Sequence, residues 1–252
     1  MTRKLLFSLV GFLSLGPLCA QPPLRVAAAA DLEPILPPIL EQFQQATGIR
    51  AEATFQASAM LATQIQNGAP FDLFLSADLG YPRRLITAGL ADSATPVLYG
   101  RGTLVLWARK DSRLPPPSLD LLRSPDLRRL ALANPDRAPY GRAAVAALTS
   151  LNLYDQLKPR LVTAENIAQA AQFVDSGNAD AGLISLTSAL TPRLAASGTY
   201  AVIPDGLYPD IQQGAIVLGK SSQRDAAHKL LTYLLSPPIQ AQLAKTGLRP
   251  VH

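Results

Sequence analysis

LRVAAAADLEPILPPILEQFQQATGIRAEATF, residues Leu24 to Phe55, holds the pattern that decides the fold. Leu24 to Ala29 is an apolar run of strand length. Ile39 to Thr47 has apolar residues at helical spacing and stops at Gly48, a residue suited to the left-handed turn that ends a helix. Ala51 to Phe55 is a second strand candidate. Strand, helix and strand in about thirty residues make a βαβ unit, and its crossover requires the two strands to be parallel.

The same rhythm runs outward from this unit. Phe71 to Leu75, Leu130 to Ala133 and Ala181 to Ile184 read as strands. Ala59 to Gln66, Pro82 to Ala88, Gly141 to Leu151, Ile167 to Ser176 and Arg224 to Leu235 read as helices, several closed by Gly68, Gly89 or Gly177. The fold class expected is α/β with mostly parallel strands. Ligands in such sheets collect at the carboxyl ends of the strands.

Two β-forming segments, Gly102 to Ala108 and Gln213 to Lys220, do not lead into helices and read as strands crossing between two lobes. The expected organisation is residues 1–20 as a leader, 21–104 plus 214–252 as lobe 1, and 105–213 as lobe 2, with the crossings acting as a hinge. The Pro-rich stretch Leu114 to Pro117 fits a surface loop.

The first twenty residues have the form of a secretory signal: basic Arg3 and Lys4, an apolar run from Leu5 to Leu15, and small Ala20 before Gln21. The run is shorter than the roughly 20 residues of a membrane-spanning helix. A periplasmic or secreted location follows. Leu18 before Cys19 argues against a lipid anchor. Cleavage after Ala20 removes the single cysteine, leaving no disulfide or thiolate site. It also removes Arg3 and Lys4 from a formal net charge of +5; the remaining basic residues are scattered, with Arg83-Arg84 and Arg128-Arg129 as pairs, so no nucleic-acid track is expected.

Four turns follow strands and precede helices: Ala28 to Asp31, Gln56 to Ala59, Arg137 to Gly141 and Ala164 to Ile167. Helix starts carry N–H groups with no intrahelical acceptor and a partial positive charge, so converging starts hold an anion without any cation. Ser58 reads as an N-cap whose hydroxyl also serves a ligand. Tyr140, between Pro139 and Gly141, offers a phenol donor, and Asn166 can cap a helix whose Ile167 would have only a backbone N–H to offer, which side-chain identity does not report. Catalytic machinery is not evident: His228 and His252 have neither metal-ligand spacing nor a Ser and Asp beside them, the carboxylates are dispersed, and there is no phosphate loop. No enzyme activity, metal cation or cofactor is expected.

Ala28-Ala-Ala-Asp-Leu32, Phe55-Gln-Ala-Ser-Ala-Met-Leu61, Asn67-Gly-Ala-Pro-Phe-Asp-Leu-Phe-Leu-Ser-Ala-Asp78, Asn134-Pro135 through Pro139-Tyr-Gly141, Glu165-Asn-Ile167 and Gly177-Asn-Ala-Asp-Ala-Gly182 together resemble the periplasmic molybdate-binding proteins of ABC importers. The resemblance implies a two-lobed, type II periplasmic binding-protein fold that closes over molybdate or tungstate. It also implies an inner-membrane ABC permease as partner, a monomer, and ligand contacts at Ala30 or Asp31, Ser58, Tyr140 and Ile167. One branch of the family has its tyrosine where this chain has Ser185; the branch with tyrosine at the Pro-Tyr-Gly turn is the better template.

Asp31 departs from that family, whose first turn usually supplies Ser or Thr-Asn. A carboxylate only accepts hydrogen bonds, and at about 4 Å it repels a dianion by a few kcal/mol. Three readings stay open: Asp31 caps its own turn, faces a base such as Arg142, or accepts a proton from a protonated oxyanion. The last makes phosphate or an organic anion the alternative ligand; a periplasmic hydrolase is the alternative class. Pro37-Pro38 disfavours regular helix through Leu36, which puts the helix start near Pro38.

Overall fold

The computed structural model describes residues 22–251, so the leader and the Cys19 anchor site lie outside the described residues. Two five-stranded sheets form the centres of two lobes. In the first, β1 (Leu24–Ala29) lies between β2 (Ala51–Gln56) and β3 (Leu73–Ser76), all parallel. The sheet is completed by β10 (Ile211–Val217), antiparallel to both β3 and β4 (Val97–Gly102). The second sheet repeats the plan. There β6 (Leu130–Ala133) pairs in parallel with β7 (Leu161–Ala164) and β8 (Ala181–Ser185), and β5 (Leu104–Arg109) runs antiparallel to β8 and β9 (Gly198–Val202).

The expectation of mostly parallel strands therefore holds for the βαβ half of each sheet only. β5 and β10 enter their sheets from the opposite lobe, arrive at the far end of the neighbouring strand, and so pair antiparallel. The crossing segments also differ from expectation. Gly102 to Ala108 is two strands meeting at Thr103, with Leu104 already paired to Ser185 in the second sheet. β10 lies wholly in the first sheet, its Ile211 opposite Gly102. The chain thus passes between the two sheets at Thr103 and through residues 203–210.

Alternation along β1 feeds both faces of the first sheet. Leu24, Val26 and Ala28 pack with α1 (Leu36–Thr47), α9 (Arg224–Leu234) and α10 (Pro237–Lys245), while Ala27 faces α2 (Ser58–Gln66) and α3 (Gly80–Thr87). In the second lobe α4 (Pro139–Ser150), α5 (Tyr154–Leu157) and α6 (Ile167–Asp175) cover a core centred on fully buried Trp107. Short α7 (Leu186–Ala189) and α8 (Pro192–Ser197) lead into β9.

Helix starts fall slightly earlier than the sequence suggested. α1 begins at Leu36, so Pro37 and Pro38 occupy its first turn, where a missing N–H costs no hydrogen bond. α4 likewise begins with Pro139. The first of the four turns opens no α-helix directly; Ala30–Leu32 form a single 3-10 turn before α1.

Candidate functional site

Three helix starts and the 3-10 turn meet where the carboxyl ends of the parallel strands face each other across the lobes. Ala30, Asp31, Ser58, Tyr140 and Ile167, each singled out from sequence, line one small, tight cavity of about 10 Å³. Its other walls are Ala29, Gln56, Ala57, Ala77, Ala138, Pro139 and Asn166, so among the described residues no Lys, Arg or His contributes to the lining. Ser58 and Ile167 are the first residues of α2 and α6, and Tyr140 is the second of α4, so their backbone N–H groups have no acceptor within their own helices. The arrangement suits an anion held by neutral dipoles.

Local sequence explains each position. Asn166 caps α6 as expected, its side-chain oxygen accepting from Gln169 N–H at 2.9 Å. Ser58 is not the cap of α2; Ala57 is, and it makes no side-chain cap bond. The Ser58 hydroxyl oxygen instead accepts the Ala77 N–H at 3.1 Å, which leaves its proton for another acceptor. Gly141 lets α4 sit on β6, since a Cβ there would lie 2.3 Å from the Ala133 carbonyl oxygen. Gly102 makes room for the phenol of Tyr140, whose oxygen would be 2.3 Å from a Cβ at that position.

Two of the three sequence readings of Asp31 are not met. Its side chain caps nothing in the 3-10 turn, and Arg142 pairs with Asp78 instead. Asp31 is fully buried, and one carboxyl oxygen, Oδ2, accepts both the Tyr140 hydroxyl at 3.1 Å and the Gln213 amide. The other, Oδ1, is buried with no partner among the described residues. Burial pushes the carboxyl up from 3.8 to about 6, against the lowering effect of the Gln213 and Tyr140 donors. The phenol that sequence reading aimed at a ligand is thus aimed at Asp31, and burial together with the Asp31 charge pushes it well above the usual phenol range.

Three residues of this network escaped the sequence reading. Gln213, on β10, is oriented by Tyr99, whose hydroxyl donates to Gln213 Oε1 at 2.7 Å and lies 3.2 Å from the Ser76 carbonyl oxygen. Thr187, on α7, donates to the Asp31 carbonyl oxygen at 2.8 Å. A glutamine within a β-forming run and a threonine after a strand are common, and nothing local marks either as facing Asp31. Ser185, which occupies the alternative tyrosine position, caps α7 and bonds Thr187 and Ser188.

The lobes touch at several further points around the cavity. Ala59 N–H donates to the Arg137 carbonyl oxygen at 3.2 Å, Arg142 pairs with Asp78, and Arg142 also donates to the Tyr81 hydroxyl at 3.3 Å. His228 is remote from the site, in a surface pair with Asp92.

A profile for bacterial extracellular solute-binding proteins matches residues 24–249. The chain is a bacterial extracellular solute-binding protein. This solute-binding protein is 36% identical over 213 residues to the molybdate-binding protein ModA of Azotobacter vinelandii, covering 84% of each chain. It is 34% identical over 205 residues to ModA of Rhodobacter capsulatus, covering 81% of this chain and 79% of that one. Among solved structures, the A. vinelandii periplasmic molybdate-binding protein superposes with a TM-score of 0.86 at 29% identity, covering 91% of this chain and all of the other. The sulfate-binding protein SubI of Mycobacterium tuberculosis shares the fold at 17% identity and a TM-score of 0.76. The two-lobed architecture expected from the sequence is therefore that of the family, and ligand choice lies in the site rather than in the fold.

Proposed function

We propose that the protein is the periplasmic molybdate-binding component of an ABC importer. It captures molybdate or tungstate between its lobes and delivers it to an inner-membrane permease without chemical change. The observation that carries this reading is the convergence of Ala30, Asp31, Ser58, Tyr140 and Ile167 on one cation-free cavity, in a chain whose relatives are named molybdate-binding proteins. The contacts proposed are the hydroxyl of Ser58 and the backbone N–H groups of Ser58, Tyr140 and Ile167, with Ala30 and Asp31 closing the lobe 1 side.

Neutral donors suit a tetrahedral dianion because each N–H or O–H is oriented by its helix before the ligand arrives. The lobes, divided near Thr103 and within residues 203–210, act as the two jaws. The protein works as a monomer carried to the periplasm by its leader. Calorimetric titration with molybdate, tungstate, sulfate and phosphate tests the reading. Molybdate and tungstate bind with similar affinity, and sulfate, being smaller, binds more weakly through lengthened hydrogen bonds. Sulfate or phosphate binding as tight as molybdate overturns the assignment.

A further inference from the structure

A carboxyl group against a dianion is the feature of this site that neutral-donor capture leaves unexplained. The geometry of Asp31 supplies a resolution. Oδ2 is saturated by two donors, Tyr140 and Gln213, while Oδ1 is buried, has no hydrogen-bond partner within bonding geometry among the described residues, and belongs to a residue that lines the cavity. An ionised Oδ1 would sit desolvated beside the ligand oxygens, with both partners only able to accept. We propose that Asp31 takes up one proton on Oδ1 when the ligand is captured and donates it in a hydrogen bond to the bound oxyanion, so that molybdate binding by this protein is coupled to proton uptake. The inference rests on the molybdate reading above.

No cation lines the cavity beside Asp31 among the described residues; the neutral donors Tyr140, Gln213 and its own backbone N–H favour the ionised form, and burial outweighs them. From α4 the Tyr140 phenol faces it, and from β10 the neutral amide of Gln213. Tyr99 on β4 stands behind Gln213, and Thr187 on α7 binds only the Asp31 carbonyl. α6 presents Ile167, while its one carboxylate, Asp175, is at the other end and paired with Arg193. β2 presents Gln56, while Glu52 lies four residues back and pairs with Arg50. The nearby Asp78 is paired with Arg142. Burial already lifts the carboxyl to about 6, and a dianion against Oδ1 favours the neutral form further. The proton comes from solvent, and no covalent bond to the ligand forms.

Proton linkage fixes how affinity depends on pH. Above about pH 6, each molybdate captured takes up one proton, so affinity falls about tenfold per pH unit. Below it, Asp31 is already protonated and affinity levels off. Asp31→Asn replaces the acid by an amide whose oxygen accepts from Tyr140 and Gln213 and whose NH₂ donates at every pH.

The test is calorimetric titration of the wild-type chain with dilute molybdate from about pH 6 to about pH 9 in paired buffers of different ionisation enthalpy, with Asp31→Asn alongside. The expected result is uptake of about one proton per molybdate by wild type near pH 8, none by the variant, and a variant at least tenfold tighter than wild type at that pH. Tight binding by wild type with no proton uptake overturns the inference and leaves molybdate capture intact, and so does a variant with an unchanged pH slope. Failure of both proteins to bind molybdate at any pH overturns the functional reading instead. Should the variant not fold, the wild-type proton count decides alone.

Discussion

The Tyr140 hydroxyl donates to Asp31 Oδ2 at 3.1 Å, and this bond ties the first turn of α4 in one lobe to the turn after β1 in the other. Gln213 donates to the same oxygen from β10, beside the crossing segment 203–210. The ligand wall and the connection between the lobes therefore share one buried polar network. Such networks are costly when any member is left unsatisfied.

Asp31→Asn should stabilise the protein at neutral pH. The native carboxyl is raised to about 6 by burial, against about 3.9 in an unfolded chain. A raised carboxyl value means that the stability Asp31 contributes is fully present below about pH 4 and is lost as pH rises through about 6, a loss of roughly 3 kcal/mol above that point. Urea unfolding of both proteins should show the variant ahead by up to that amount near pH 8, with the advantage shrinking toward pH 4. An equal gap at both pH values would mean that Asp31 ionisation does not strain the fold.

Tyr140→Phe removes one of two donors to Asp31 Oδ2 and the bond between lobes, while the ring still packs in the second core. Molybdate affinity should fall by about 1 to 3 kcal/mol, with folding nearly intact. Unchanged affinity would make the phenol a packing group only.

Gly102→Ala would bring a methyl 2.3 Å from the Tyr140 oxygen and 2.8 Å from its ring carbon Cζ. The phenol must shift, so affinity should fall roughly as far as in Tyr140→Phe. Because the clash is with the hydroxyl first, adding Gly102→Ala to Tyr140→Phe should cost less than the sum of the two. A double-mutant cycle in molybdate titration checks this, and strict additivity would separate Gly102 from Tyr140.

Ser58→Ala deletes a hydroxyl that accepts the buried Ala77 N–H and keeps its proton for the cavity. Binding should weaken by about 1.5 to 3 kcal/mol, since the acceptor is charged, and stability should fall by about 1 kcal/mol for the lost acceptor. Isothermal titration and urea unfolding read the two effects separately.

Arg142→Ala should do much less. The Arg142–Asp78 pair links the lobes, but Arg142 is half exposed, and such pairs contribute under about 1 kcal/mol, less in salt. A loss of affinity beyond about tenfold at physiological salt would give that pair a role in closure that its exposure does not support.

Much of this protein was written in local pattern. The run from Leu24 to Phe55 declared a βαβ unit, Gly48 marked the end of its helix, and Asn166 marked the start of α6, because periodicity, end signals and caps act over a few residues. The site positions were legible for the same reason: helix starts after parallel strands gather at one edge of a sheet, and Ala30, Asp31, Ser58, Tyr140 and Ile167 all belong to such turns. What the sequence could not declare were relationships between distant segments. The antiparallel insertion of β5 and β10 depends on which lobe the chain returns from. Asp31 meets Tyr140 and Gln213 across 109 and 182 residues. A carboxylate's character follows from its solvation and partners, so Asp31 read alone was a cap, a salt-bridge partner or a proton acceptor. Only the closing of two lobes around it removed the water, supplied two donors to one oxygen, and left the other buried without a partner among the described residues.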